Sequence, residues 1–264
     1  MSITKSSEFK NLTALMPPGV EAVFYDLVSS TNDVAREKAI EKHNGPIWVG
    51  AAAQSSGRGR LGRVWVSEKG NLYASLMIRL HEKPENMMAL PFLVALAVRQ
   101  ALIKSGATED KILCKWPNDI LLNKKKVAGV LIESSIGTDG YIDYIIIGIG
   151  TNLTLYPLDS EFPATSFAKE TRHFIEPEDY FMHLADAFNV QWHAWLQFGF
   201  EPIRQDWLRY SWGLGEKRRI RTSTQDIVAR LVSLDKDGAL IIKLDDGSES
   251  RLYAGDVFPS DTSG

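Results

Sequence analysis

Apolar and polar positions change their period several times along the chain, and each change predicts an element. Residues 22–28 (AVFYDLV) are β-prone, and SSTNDVAREKAIEKH then predicts a short helix with Ser30 and Asp33 at capping-box-like spacing. Ser30, Thr31 and Asn32 therefore fall at a strand-to-helix corner. Strands are predicted over 47–53 and in NLYASLMIRL, either side of a loop rich in glycine and arginine. Residues 88–104 are rich in alanine and leucine, with Pro91 tolerable in a first turn, which predicts a buried helix.

Strands dominate the middle of the chain. KILCKWP and ILLN lead into KKKVAGVLIESS through a predicted hairpin turn at 123–125, and YIDYIIIGIG follows the turn signal GTDG. Hairpin connections predict an α+β fold with a mixed, largely antiparallel sheet. Apolar residues at 181, 184, 185, 188, 192, 195 and 196 follow helical spacing. Pro177 suits the first turn of that helix, and Glu178 and Asp179 suit its positive end, so it reads as a core helix. A second helix is predicted over 203–210. After SWGLG, residues 217–258 contain strand-like runs split by DKDG and DDGS, a small all-β module of about four or five strands. The expected organisation is a large unit at 1–215 and a small β unit at 216–264.

Composition narrows the function. At 264 residues the chain can bury a sizeable core, and a net charge of −3 argues against a general nucleic-acid coat. The single cysteine, Cys114, excludes a disulfide framework or a multi-cysteine metal site within one chain and fits a reducing cytoplasm. The opening MSITKSSEFKNLTALMPPG lacks the apolar core of a signal peptide, and the longest apolar stretch, 87–98, is too short to cross a bilayer. A soluble cytoplasmic protein is expected.

Positive charge is nonetheless concentrated in one place. GRGRLGR at 57–63 sets Arg58, Arg60 and Arg63 among glycines at 57, 59 and 62, with no acidic residue between Glu41 and Glu68. Such glycines let backbone approach a ligand, and arginine forks bind phosphate or carboxylate, so a small anion is the expected partner and a loop that orders on binding is expected. The loop lacks the GxxxxGK[ST] pattern of a Walker phosphate loop. In KWPNDILLNKKKVAGVLIE at 115–133, Lys124 and Lys125 read as a solvated turn. Lys126 opens an apolar strand and needs an anionic partner or a route to solvent; Asn118 and Asp119 lie across the same turn. GIGTN at 148–152 ends a strand with two glycines.

Taken together, these segments resemble the biotin protein ligase family. The resemblance runs from about Ala22 to the C-terminus and rests on STN at 30–32, Gln54 ahead of GRGRLGR and Trp65, GNLYASL at 70–76, KWPND at 115–119, KVAG at 126–129 and GIGTN at 148–152. It implies a catalytic domain similar to that of class II aminoacyl-tRNA synthetases, followed by an SH3-like β barrel. It also implies a reaction in which the biotin carboxylate attacks the α-phosphate of ATP and a lysine of a biotin carboxyl carrier domain then takes the acyl group.

By the same resemblance, Lys126 bridges the carboxylate and the reacting phosphate, while Arg58 and Arg60, with Gly59 between them, clamp that end. Ser30, Thr31, Asn32 and Gln54 match residues that bind the ureido head of biotin, and Gly129, Gly148 and Gly150 leave room for its rings and tail. Trp65 matches a position stacked against adenine, and Asn118 and Asn152 match nucleotide contacts. Mg²⁺ is expected with ATP, carried mainly by phosphate oxygens and water, with no metal ligand assigned.

Some relatives begin with a helix-turn-helix domain that represses transcription. Only about 20 residues precede the resemblance here, so no DNA binding is expected, and a homodimer through the central sheet is left open. Leu61 stands where some relatives have another basic residue. Lipoate ligation or octanoyl transfer on the related scaffold is the rival chemistry, disfavoured because the STN and Gln54 partners suit a ureido ring. A nucleic-acid-binding module is the rival outside enzymes, disfavoured by net charge. Cys114 reads as a buried strand thiol and not as a nucleophile.

Overall fold

The computed structural model describes Leu12 and residues 16–260. The expectation about the first 20 residues falls mostly outside that range. A seven-stranded sheet carries the first part of the chain, with strands β1 (Glu21–Val28), β2 (Ile47–Gln54), β3 (Leu72–Glu82), β4 (Ile112–Lys115), β5 (Asp119–Leu122), β6 (Lys125–Ile136) and β7 (Ile142–Thr151). Their order is β1-β2-β3-β7-β6-β5-β4, and only the β1–β2 pair is parallel. The hairpin predicted at 123–125 is present, with Asn123 and Lys124 both at positive φ.

Alternation on β7 decides what each face does. Ile145, Ile147 and Ile149 point into the main core, where α2 (Leu90–Lys104), α4 (Pro177–Phe198) and α5 (Phe200–Arg209) cover the sheet. Ile146 points the other way, into a smaller core under α1 (Thr31–Ile40) with Val34, Ala35 and Ala39. Gly148 and Gly150 continue that second face beyond the helix, so the sheet has side chains to bury at one end of this face and open backbone at the other. A short helix, α3 (Phe167–Thr171), was not legible in the sequence.

The last five strands, β8 (Lys217–Arg221), β9 (Asp226–Leu234), β10 (Leu240–Lys243), β11 (Glu249–Leu252) and β12 (Asp256–Phe258), form an antiparallel sheet in the order β11-β10-β9-β8-β12. Its Ile220, Leu231, Leu240 and Val257 belong to the same apolar cluster as the helices behind the large sheet. The two sheets are therefore packed through one continuous core.

Three expectations are corrected. Ser30 is the N-cap of α1, but among the described residues its side chain makes no capping bond: the Asp33 amide donates to the Ser30 carbonyl at 3.1 Å, and the Asp33 carboxylate is held by arginines instead of closing a capping box. The helix predicted from 88 begins at Leu90, after a 3₁₀ segment at Pro84–Ala89. Together these make a helical stretch at Pro84–Lys104 long and apolar enough to cross a membrane by length and composition, although most of it is buried within the protein as core. Helix α4 is most deeply buried along its first half, and Trp192 and Trp195 still pack against the core, but Leu196 is 65% exposed and Phe198 62%.

Candidate functional site

One cavity of about 360 Å³ gathers all the residues singled out above, from Ser30, Thr31 and Asn32 to Gln54, Arg58, Gly59, Arg60, Trp65, Asn118, Lys126, Gly129, Gly148, Gly150 and Asn152. Its two ends differ in chemistry.

The neutral end forms where β1 turns into α1. Gln54 Oε1 accepts from the Thr31 amide at 2.8 Å and from the Thr31 hydroxyl at 3.1 Å, while Gln54 Nε2 donates to Ser67 Oγ at 2.9 Å. Ser75 Oγ lies 2.7 Å from Thr31 Oγ1 and 2.6 Å from Asn32 Oδ1, and its one proton can serve only one of them at a time. Asn32 Nδ2 donates to Glu133 Oε2 at 2.6 Å. Thr31, Asn32 and Ser75 are all buried, so these polar groups are fixed before any ligand arrives.

Glycines form the floor. A Cβ on Gly148 would stand 2.2 Å from Asn32 Oδ1, and one on Gly150 would stand 2.6 Å from the Trp65 ring. Gly129 and Gly150 are paired across β6 and β7, and a Cβ on Gly129 would also meet Trp65, at 3.0 Å. The room that these glycines were expected to leave for a ligand is thus shared with Asn32 and Trp65. The Trp65 Nε1 is buried with no hydrogen-bond partner among the described residues, and the ring lies 5.2 Å from the Lys126 ammonium.

The cationic end is built from opposed charges. Lys126 Nζ sits 2.5 Å from Asp119 Oδ1, and the buried Lys115 Nζ sits 2.8 Å from Asp119 Oδ2. Burial alone would raise the Asp119 carboxyl, but these two ammonium groups outweigh it and hold it well below the usual carboxylate range. Lys126 has the anionic partner that its place on an apolar strand demanded.

The arginine loop is tightly structured. Gly59 N donates to Arg63 O at 2.7 Å and Trp65 N to Gly57 O at 2.9 Å, closing a hairpin-like turn around a 3₁₀ segment at Arg60–Gly62. Leu61 there takes φ 56° and points outward, 81% exposed. Arg58 forks onto Asp33 at 2.8 and 2.7 Å, which lowers the Asp33 carboxyl through that charged hydrogen bond. Arg60 donates to Asn118 Oδ1 at 3.0 Å and to the Gly255 carbonyl at 3.2 Å, and lies 3.6 Å from Asp256 Oδ1. Arg63 pairs with the other oxygen of Asp256.

Asn118 and Asn152 reach the cavity with their amides partly committed: Asn118 Nδ2 donates to Val130 O at 2.5 Å and Asn152 Nδ2 to Thr165 O at 3.1 Å. Cys114 is fully buried, and burial pushes its thiol up to about 12, which removes it as a nucleophile near neutral pH.

Several participants escaped the sequence reading. Asp119 was placed across the turn from Lys126 and Lys115 was visible at the start of KWPND, but the joint grip of the two lysines on that carboxylate needs β4, β5 and β6 to be paired. Ser75 carried a weak signal, a polar residue inside an apolar strand. Gly255 and Asp256 carried none, because 195 and 193 residues separate them from Arg60 and Arg63. Among the described residues, no group of three or more His, Cys, Asp or Glu side chains could hold a metal ion.

A cavity with a fixed neutral hydrogen-bonding end and a cationic end fits a ligand with a polar uncharged head and an anionic tail. Comparison with known proteins points the same way. The Biotin/lipoate A/B protein ligase family matches residues 24–152, and the Biotin protein ligase C terminal domain matches residues 213–258. The biotin–[acetyl-CoA-carboxylase] ligase of Paracoccus denitrificans is 38% identical over 206 residues, 76% of this chain and 85% of that protein. The bifunctional ligase/repressor BirA of Bacillus subtilis is 32% identical over 246 residues, 90% of this chain and 74% of that protein.

Among solved structures, the biotin protein ligase from Aquifex aeolicus in complex with biotin and ATP superposes with a TM-score of 0.76 at 27% identity, covering 90% of this chain and 97% of that one. The Leishmania major enzyme in complex with biotinyl-5-AMP gives a TM-score of 0.64 at 29% identity, covering 90% and 100%. The fold is accordingly the α+β, class II aminoacyl-tRNA synthetase-like fold of these ligases with its small C-terminal β unit. By sequence and by structure, the chain belongs to the biotin protein ligase family.

Proposed function

We propose that this chain activates biotin with ATP and joins it to a lysine of a biotin carboxyl carrier protein. A biotin carboxylate oxygen attacks the α-phosphorus, the bond to the β-phosphate oxygen breaks, and pyrophosphate leaves biotinyl-5′-AMP. The carrier lysine amine then attacks the acyl carbon, AMP departs, and the amine loses a proton as the amide forms.

The observation that carries this reading is the polarity of the cavity. The first step brings two anions together, so fixed positive charge must lie where they meet. Lys126 and Arg60 line that end, with Lys115 behind them, and each is now balanced by Asp119, Asp256 or a carbonyl. A carboxylate and a phosphate entering there would share these cations with their present partners. The Ser30, Thr31, Asn32 and Gln54 end offers both donors and acceptors to a cyclic urea, and a dithiolane or alkyl chain would leave them unanswered. Arg58, Gly59, Trp65, Asn118, Gly129, Gly148, Gly150 and Asn152 complete the lining, with Trp65 and the two asparagines assigned to the nucleotide. Held over the adenylate, the arginine loop would keep water from its reactive acyl-phosphate bond.

Mg²⁺ belongs to this proposal as the counter-ion of ATP, held by phosphate oxygens and water, since the described residues offer it no cluster of ligands. The division at 215/216 and a cytoplasmic setting, supported by ATP dependence and one buried reduced thiol, belong to it as well. The matched family spans both biotin and lipoate ligases, so the test sets the acids against each other. Mass spectrometry of a carrier domain incubated with enzyme, Mg-ATP and equal biotin and lipoate should show the biotin adduct only. A lipoyl adduct, or none, would contradict the reading.

A further inference from the structure

The residues Asp33, Arg36 and Glu133 take no part in the chemistry above, yet they connect the two ends of the cavity. Arg36 Nη1 donates to Asp33 Oδ1 at 2.6 Å, beside the fork from Arg58, and Arg36 Nη2 lies 2.9 Å from Glu133 Oε1. Glu133 holds the Asn32 amide on its other oxygen. An unbroken chain of side chains thus runs from Ser75 through Asn32, Glu133, Arg36 and Asp33 to Arg58 at the start of the loop.

We propose that Asp33 is a positioning residue that acts through Arg58: its carboxylate seats the first turn of the arginine loop over the cavity. Arg36 and Glu133 tie that seat to Asn32, so that the loop and the neutral end hold one arrangement. The inference rests on reading the cavity as the biotin and ATP site.

Two features favour this over a purely local duty for Asp33 at the N-terminus of α1. Both carboxylate oxygens face guanidinium groups, and one partner, Arg58, lies 25 residues away on the loop. Asn32 and Glu133, from α1 and β6, join the loop through the same cluster, with Glu133 Oε1 lying 2.9 Å from Arg36 Nη2 and 4.0 Å from Arg58 Nη2. A forked arginine–carboxylate pair fixes orientation as well as distance. The pair is partly exposed, at 35% and 28% of side-chain surface, so its grip is modest and reversible.

The test compares wild type, Asp33→Asn and Asp33→Glu in the full chain. Trypsin cleavage after Arg60 in the absence of ligands reads the seating of the loop without depending on activity. Release of biotinyl-AMP after a single turnover without carrier reads its consequence. Asp33→Asn should speed both by about fivefold, the size expected of one partly exposed ion pair, and Asp33→Glu should restore most of each. Wild-type rates of cleavage and release in Asp33→Asn, with only a lowered melting temperature, would reduce Asp33 to a helix-stabilising residue and overturn the proposal. If wild type forms no adenylate, the proposed function falls, and the trypsin comparison still decides the role of Asp33.

Discussion

The two ends of the cavity are prepared for their ligand in opposite ways. At the neutral end, Thr31, Asn32, Gln54 and Ser75 are buried or half-buried and bonded mainly to one another, and uncharged groups can remain so at little cost when a ligand joins them. At the cationic end, Arg58, Arg60, Arg63, Lys115 and Lys126 are held in place by Asp33, Asp119 and Asp256. Cations clustered without counter-charges would repel one another and lose hydration, so the protein supplies carboxylates that hold them in place. On the proposed function, one end is finished before binding, and the other is balanced by the protein's own carboxylates until an anionic substrate shares its cations.

Breaking the balance at its centre should have the largest effect. Asp119→Ala leaves the buried Lys115 without its carboxylate and should destabilise the fold by about 3–5 kcal/mol in urea unfolding. A loss below 1 kcal/mol would mean that Lys115 reaches water or another partner.

The neutral end can be disturbed separately. Gly148→Ala puts a methyl group 2.2 Å from Asn32 Oδ1, and that amide is held on both sides by Ser75 and Glu133, so it must give up one of them. We expect the KM for biotin to rise about 10- to 100-fold, the cost of one or two polar contacts, with the KM for ATP little changed. Equal rises in both would dissolve the distinction between the ends.

Arg60→Ala removes a cation that also fastens the loop to the Gly255 carbonyl, and should accelerate loss of biotinyl-AMP to solution by about tenfold. Unchanged retention, measured by rapid filtration, would count against the clamp.

Acid should expose the smallest difference. Burial opposes ionisation of Asp256, but Arg63 and Arg60 lower its carboxyl below the ordinary 3.8. A carboxyl lowered by folding contributes stability that is fully present above that ordinary value and is lost as pH falls through the folded one. Asp256→Asn should therefore be about 1 kcal/mol less stable than wild type at pH 7, and the gap should close as pH drops below 3.8. A gap that persisted in acid would have another origin.

The parts of this arrangement that were legible in the sequence are those set by local order. The hairpins at Asn123–Lys124 and DKDG, the strand ending in GIGTN, and the corner at Ser30 to Asn32 follow from patterns within a dozen residues. The likeness of STN, GRGRLGR, KWPND and KVAG to one family then brought together residues that fold into one cavity. The carboxylates were harder to see. Asp256 reaches the loop only because the two sheets share a core, and Asp33 looked like a capping residue until a guanidinium 25 residues away claimed it. The glycines were read as room for a ligand, and that Asn32 and Trp65 stand against the same open backbone was set by tertiary packing.

The most direct test of the cationic end is biotin-dependent exchange of labelled pyrophosphate into ATP, measured for wild type and Lys126→Ala alongside their melting temperatures. The account predicts robust exchange in wild type and a fall of at least about 100-fold in Lys126→Ala, with the melting temperature nearly unchanged because Lys115 still partners Asp119. Wild-type exchange in a folded Lys126→Ala protein would contradict it.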